Sequence, residues 1–369
     1  MAAVLVHAAA LSSAFHPRNA FTGSYDMRAL VAACPGLGAH VVPPEQSRSG
    51  RATINFADPS AVRALNRALL AADYGVRTWE LPEGRLCPPV PSRADYIHHV
   101  ADVLAEATTD SAPPTGPCIR GFDVGTGSSL IYPLLGAATF GWRFIASESD
   151  LASSESAERI RAANAESLPA LRHSEVRFQP ARAQLLAGVR ALDEEVDFVM
   201  CNPPFYGSAS EFKRENARKL HGLAASARRR GGAATPAGAG RAAGVGGGAT
   251  AGSDNFGGAE SELWCPGGEV AFVGTLAAES RAAADSVLWF SSIVSRAEHV
   301  ARVRSALASH RASPALGGRS VAEVRTVLMG QGGKRTNLVF WSFKRPAERR
   351  AWAKRRGWAG HAPADRLGD

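Results

Sequence analysis

The chain has 369 residues, 45% of them hydrophobic, enough for a substantial core and enough to exclude a wholly disordered protein. Its 42 Lys and Arg against 34 Asp and Glu leave a formal charge of +8, which favours anionic partners, nucleic acid foremost. The five cysteines, Cys34, Cys87, Cys118, Cys201 and Cys265, are odd in number and show no paired ligand spacing, so neither a metal site nor a disulfide framework is expected.

No apolar run is long enough to cross a bilayer, so no membrane role is expected. Residues 1–15 are small and apolar, but no basic residue precedes them; a poorly ordered N-terminus is expected rather than a signal peptide. An N-terminal module is read over 16–110. It carries a basic patch at Arg18 and a turn-rich stretch at 43–50. Asp58 and Pro59 then give an N-cap and a first-turn proline, with Val62, Leu65, Leu69 and Leu70 at helical spacing, which predicts a helix ending near Gly75. A second helix is predicted over 93–106, with Tyr96, Ile97, Val100, Val103 and Leu104 on one face.

From Cys118 the pattern alternates strand, glycine turn, helix and strand, as in a doubly wound α/β sheet, here assigned to residues 111–345. Strands are predicted at 119–124, 143–148, 176–178, 196–201, 287–294, 321–328 and 338–343, the last two forming an antiparallel hairpin around 330–334. Residues 228–258 are nearly all Gly and Ala and are read as a disordered, flexible insertion at the rim of the site. The tail over 346–369 is basic, with Trp352 and Trp358 interleaved, which suits nucleic-acid contact, a nuclear import signal or a solvated basic helix.

Three motifs carry chemistry. Phe122-Asp123-Val124-Gly125-Thr126-Gly127-Ser128-Ser129 runs a strand into a glycine turn, where the backbone can approach a ligand closely. Glu148, at the end of the next strand, can accept both hydroxyls of a ribose. Val196 to Cys201 delivers Asn202-Pro203-Pro204-Phe205 to the C-terminal end of a strand, where such sheets bind ligands. The prolines set the backbone so that the Asn202 side-chain oxygen and a backbone carbonyl both point outward. Those two acceptors would hold the exocyclic amine of a purine for in-line attack on a methyl sulfonium, while Phe205 stacks on the flipped base. The expected fold is a Rossmann-like class I methyltransferase sheet behind a small N-terminal module.

The segments Ser92 to Val100, Asp123 to Gly136 and Cys201 to Phe205 resemble the family of methyltransferase-like protein 16, which includes the bacterial large-subunit ribosomal RNA adenine methyltransferase F. Similarity runs from His16-Pro17-Arg18-Asn19 to Trp341-Ser342-Phe343. It implies an RNA adenine-N6 methyltransferase using S-adenosylmethionine, with U6 small nuclear RNA as the expected substrate, a ribosomal RNA of the bacterial type as the alternative, and a nuclear or cytoplasmic setting. Carried over, the cofactor residues are Arg93, Gly125, Ser129, Glu148, Gln184 and Asn202, with Arg93 closing over the methionine carboxylate. Two departures stand out: the Gly/Ala insertion replaces a shorter basic loop, and the sequence stops soon after the catalytic domain.

RNA contacts are expected from Arg18, Arg182, Arg214, Arg218 and Lys219, with Lys213, Arg28, Arg63 and Arg67 as further candidates along a groove presenting an unpaired or bulged adenine. A monomer with no obligate protein partner is expected. The competing readings are a DNA-adenine or protein-glutamine methyltransferase and a non-catalytic RNA-binding scaffold.

Overall fold

The computed structural model describes residues 15–21, 24–47, 49–208, 210–211, 214, 260–309, 319–331 and 334–358. The Gly/Ala insertion, residues 1–14, Lys213, Arg218 and Lys219 lie outside the described residues.

The N-terminal module contains α1 (Met27–Ala33), a two-residue hairpin of β1 (Val41–Val42) and β2 (Thr53–Ile54), α2 (Pro59–Tyr74) and α3 (Val90–Ala105). The Asp58 side chain accepts from Ser60 N at 2.9 Å and caps α2, and Gly75 at φ +64° ends it in the left-handed conformation. α3 begins three residues before the predicted start. Pro91 belongs to its first turn, where a missing N–H breaks no helical bond. Asn66 joins the two helices by accepting from Val90 N at 3.0 Å.

The main sheet has seven strands in the order β5-β4-β3-β6-β7-β9-β8. These are β3 (Arg120–Val124), β4 (Arg143–Glu148), β5 (Glu175–Phe178), β6 (Val196–Cys201), β7 (Val287–Val294), β8 (Glu323–Gln331) and β9 (Lys334–Ser342). The first five in spatial order are parallel; β9 and β8 close one edge as an antiparallel hairpin. The hairpin strands run further toward their turn than the sequence pattern predicts, over 329–331 and 334–337, where only Met329 is a large apolar residue and no alternation can be detected.

Both faces of the sheet are covered. Phe144, Ala146, Phe198 and Met200 face a core shared with α2, α3 and α4 (Ile131–Phe140). Ile145, Val199 and Cys201 face the other core, shared with α6 (Gly268–Glu279) and α7 (Ala297–Ser309), while α5 (Leu151–Asn164) follows β4 on the first side. The N-terminal module is thus continuous with the catalytic domain through one hydrophobic core. Strand order reverses at β3, which opens a crevice at the C-terminal ends of β3, β4 and β6.

The basic tail folds onto the opposite end of the sheet. α8 (Pro346–Arg355) buries Trp352, whose Nε1 donates to Asp197 Oδ1 at 2.8 Å, and Arg356 donates to Asp197 Oδ2 at 2.9 Å. Trp358 is buried as well, so neither tryptophan is displayed on a free basic face. Among the described residues no helix is long and apolar enough to cross a membrane.

Candidate active site

The glycine turn after β3 is open toward the crevice. Gly125 and Gly127 adopt φ of +70° and +65°, and a Cβ at Gly125 would meet nothing within 4 Å, leaving space for a ligand against the backbone. Gly125 N and Thr126 N both donate to Ser147 O at 3.0 Å, which ties the turn to β4. Gly127 N donates to Glu148 Oε2 at 2.9 Å, while Ser149 N and Asp150 N donate to Oε1 at 2.7 and 2.8 Å. Three backbone N–H groups therefore aim the Glu148 carboxylate, and Oε2 keeps acceptor capacity for a hydroxyl. Burial pushes the Glu148 pKa up against those hydrogen bonds, and the Glu262 charge adds to the rise.

A cavity of about 570 Å³ joins this turn to the end of β6. Its wall includes all six residues expected at the cofactor, Arg93, Gly125, Ser129, Glu148, Gln184 and Asn202, together with Pro203, Pro204 and Phe205. Arg93 reaches it from α3 and lies over the Tyr132 ring at 5.9 Å from its centroid. Ser129 is held from behind, its carbonyl accepting from Trp79 Nε1 at 2.9 Å. The Phe205 side chain stays 37% exposed, so a face of the ring is left to stack on a planar ligand.

The unsatisfied groups report what the cavity is built to receive. Among the described residues, the buried side-chain oxygens without a well-directed hydrogen-bond partner are Asp123 Oδ1 and Oδ2, Thr126 Oγ1, Tyr132 Oη and Asn202 Oδ1. All belong to the end of β3, the glycine turn, the helix after it, or the end of β6; the unpartnered buried groups elsewhere are nitrogens. Leaving such oxygens dry is costly, and while the two hydroxyls can donate or accept, the Asp123 and Asn202 oxygens only accept and suit a ligand that brings N–H donors and positive charge. S-adenosylmethionine, with its ammonium group, adenine amine and sulfonium, fits that description. Burial pushes the Asp123 carboxyl up to about 7; the Thr126 hydroxyl and the Arg93 charge pull it down, and Glu148 adds to the rise.

The expected RNA-binding residues are less concentrated. Arg182 is exposed and lines the cavity, and Arg214 is exposed beyond it. Arg18 instead donates to Asp102 Oδ1 at 2.6 Å and to the His98 carbonyl at 3.2 Å. Arg63 donates to the Leu81 carbonyl at 3.0 Å, Arg67 pairs with Glu80 at 3.8 Å, and Arg28 is exposed on α1.

Sequence reasoning missed Tyr132 and Glu262 on the cavity wall, and Asp123, buried directly before the lining residue Val124. Asp123 stood inside the quoted glycine motif, and its buried strand position was the signal available. Glu262 had none: its Oε2 accepts from Leu86 N at 3.1 Å, a contact 176 positions apart, and both residues line the cavity.

Comparison with known proteins agrees with this geometry. A family model described as RNA methyltransferase matches residues 9–345. The ribosomal RNA large subunit methyltransferase F of Pseudomonas aeruginosa is 41% identical over 345 residues, covering 94% of this chain and 92% of its own. The human Mettl16 catalytic domain in complex with MAT2A 3′UTR hairpin 1 superposes with TM-score 0.66 at 28% identity, covering 90% of this chain and 96% of that one. The N-terminal domain of human METTL16 in complex with SAH gives TM-score 0.61 at 27% identity, covering 90% of this chain and 100% of that one. The chain belongs to the RNA methyltransferase family that contains these proteins, and its cofactor is S-adenosylmethionine.

Proposed function

We propose that the chain methylates N6 of an adenine in large-subunit ribosomal RNA, as a methyltransferase of the bacterial type. The carrying observation is Asn202 Oδ1, a buried acceptor without a partner at the end of β6, on the same cavity wall as the partly exposed Phe205. The bacterial relative is 41% identical and the human structures 27–28%, which moves the expected U6 small nuclear RNA substrate, and the nuclear setting that accompanied it, behind the ribosomal alternative.

In this reading Phe205 stacks on an adenine turned out of its RNA, and Asn202 Oδ1 and the Pro203 carbonyl accept the two N–H bonds of its amine. Holding both hydrogens draws the nitrogen toward a pyramidal shape and exposes its lone pair. When bound, S-adenosylmethionine supplies a methyl carbon on sulfur that this lone pair can attack in line. The N–C bond would form as the S–C bond breaks, and the surplus proton would leave to solvent, so that no strong base is required of the protein. Arg93 would hold the methionine carboxylate, Asp123 the ammonium, Glu148 the ribose hydroxyls and Gln184 the adenine edge. Arg182 and Arg214 would meet phosphates near an unpaired or bulged adenine.

The test supplies a labelled methyl donor with unmodified large-subunit RNA, U6 RNA, DNA and peptide, and maps the product. Label at N6 of one ribosomal adenine is expected. Label confined to U6 RNA would restore the small nuclear substrate, and label on peptide alone would defeat both RNA assignments.

A further inference from the structure

The pairing of β6 with β7 stops before the catalytic motif. Their last paired residues are Val199 and Phe290, whereas β3 stays paired with β6 as far as Val124 and Cys201. The two strands part where the cavity opens. Two side-chain hydroxyls bridge the place. Ser291 Oγ donates to the Val199 carbonyl at 2.9 Å, and the Tyr96 hydroxyl donates to Ser291 Oγ at 2.8 Å while accepting from Cys201 N at 3.3 Å. Tyr96 is fully buried, and burial holds its phenol protonated, as this arrangement requires.

Cys201 directly precedes Asn202, so the Tyr96 hydroxyl bonds the last strand amide before the amine-binding side chain. Tyr96 stands on α3, three residues after Arg93, which puts the two on neighbouring turns of one helix. We propose that Tyr96 is a positioning residue for methyl transfer: its hydroxyl replaces the missing strand ladder and fixes where Asn202 presents its acceptor, from the same helix that brings Arg93 to the cofactor cavity. This rests on the assignment of Asn202 to the target amine.

A displacement of about 1 Å in a reacting group can cost on the order of a hundredfold in rate without a matching loss of binding. Tyr96→Phe keeps the ring in the core and removes only the hydroxyl. The expected result is a kcat at least about tenfold lower, with KM for S-adenosylmethionine and Kd for RNA within about twofold of the unmodified enzyme. The melting temperature would be followed in parallel. Ser291→Ala, which removes the acceptor of the Tyr96 hydroxyl, is expected to lower kcat less, and the double variant to match Tyr96→Phe rather than the product of the two effects.

A melting temperature that drops while kcat per folded molecule holds would make Tyr96 merely structural and overturn the proposal, as would a rise in KM accounting for the whole loss. Should Tyr96→Phe fail to fold, Ser291→Ala carries the same kcat-against-KM reading. Asn202→Ala is measured alongside. If that variant keeps turnover, the Asn202 assignment falls; if it loses turnover and Tyr96→Phe does not, only the Tyr96 proposal falls.

Discussion

Two aspartates in the middle of the sheet are buried almost equally and treated in opposite ways. Asp197, at the lower end of β6, accepts from Arg120 N, Trp352 Nε1 and the Arg356 guanidinium. Asp123, near the upper end of β3, has no well-directed donor on either oxygen. Burial raises the pKa of both, but at Asp197 that rise is opposed by Arg356 and Trp352, whereas at Asp123 it carries the carboxyl up to about 7. A satisfied carboxylate holds the fold together. An unsatisfied one in the same sheet is where, in the proposed function, the cofactor ammonium would complete the network.

The contrast is broken most directly at its structural end. Asp197→Ala strands the half-buried Arg356 and the Trp352 indole, and should cost about 3–5 kcal/mol in denaturant unfolding. Cofactor affinity per folded molecule should stay unchanged. A lost affinity with intact stability would reverse the two roles.

Asp123→Asn is the matching test above. It should weaken S-adenosylmethionine binding by about 1.5–3 kcal/mol, roughly ten- to hundredfold, in a calorimetric titration. Stability of the empty enzyme should hold or rise above neutral pH, because the amide removes a buried charge.

The pH dependence sharpens this further. The folded pKa of Asp123, about 7, lies above its ordinary 3.8, so the folded state binds the proton more tightly and this group's contribution to stability falls as pH rises through that window. A cofactor ammonium needs the ionised form. Affinity should therefore decline as pH drops below about 7, approaching tenfold per unit, and the decline should flatten in Asp123→Asn. A pH-independent affinity in the unmodified enzyme would remove Asp123 from the site.

The smallest effect is expected at the rim. Arg182→Ala should weaken RNA binding about two- to threefold and reduce the slope of log affinity against log salt by about 1, with no change in cofactor affinity.

Much of the fold could be read from the sequence because its signals were local. The strands at Arg143–Glu148, Val196–Cys201 and Val287–Val294 have the bounds that their apolar runs predict, and Asp58, Pro59 and Gly75 mark both ends of α2. Residues of the cavity that sit in motifs were legible for the same reason. Those brought in by distant chain were not: Glu262 meets Leu86, and Tyr96 was legible only as one apolar position on a helix face. The place of the tail's tryptophans was not legible, because composition records the charge around them but not the buried Asp197 that receives Trp352 and Arg356.

The cavity wall draws on residues from Phe15 to Thr336, nearly the whole span of the described chain. The six residues expected at the cofactor alone span 93 to 202, so the wall closes only where α3, β3, β4 and β6 have packed together. A ligand that binds this assembled wall and not the unfolded chain stabilises the fold, by about 2.7 kcal/mol at a concentration a hundred times its dissociation constant. Added S-adenosylmethionine should therefore slow proteolysis of the enzyme as well as raise its melting temperature.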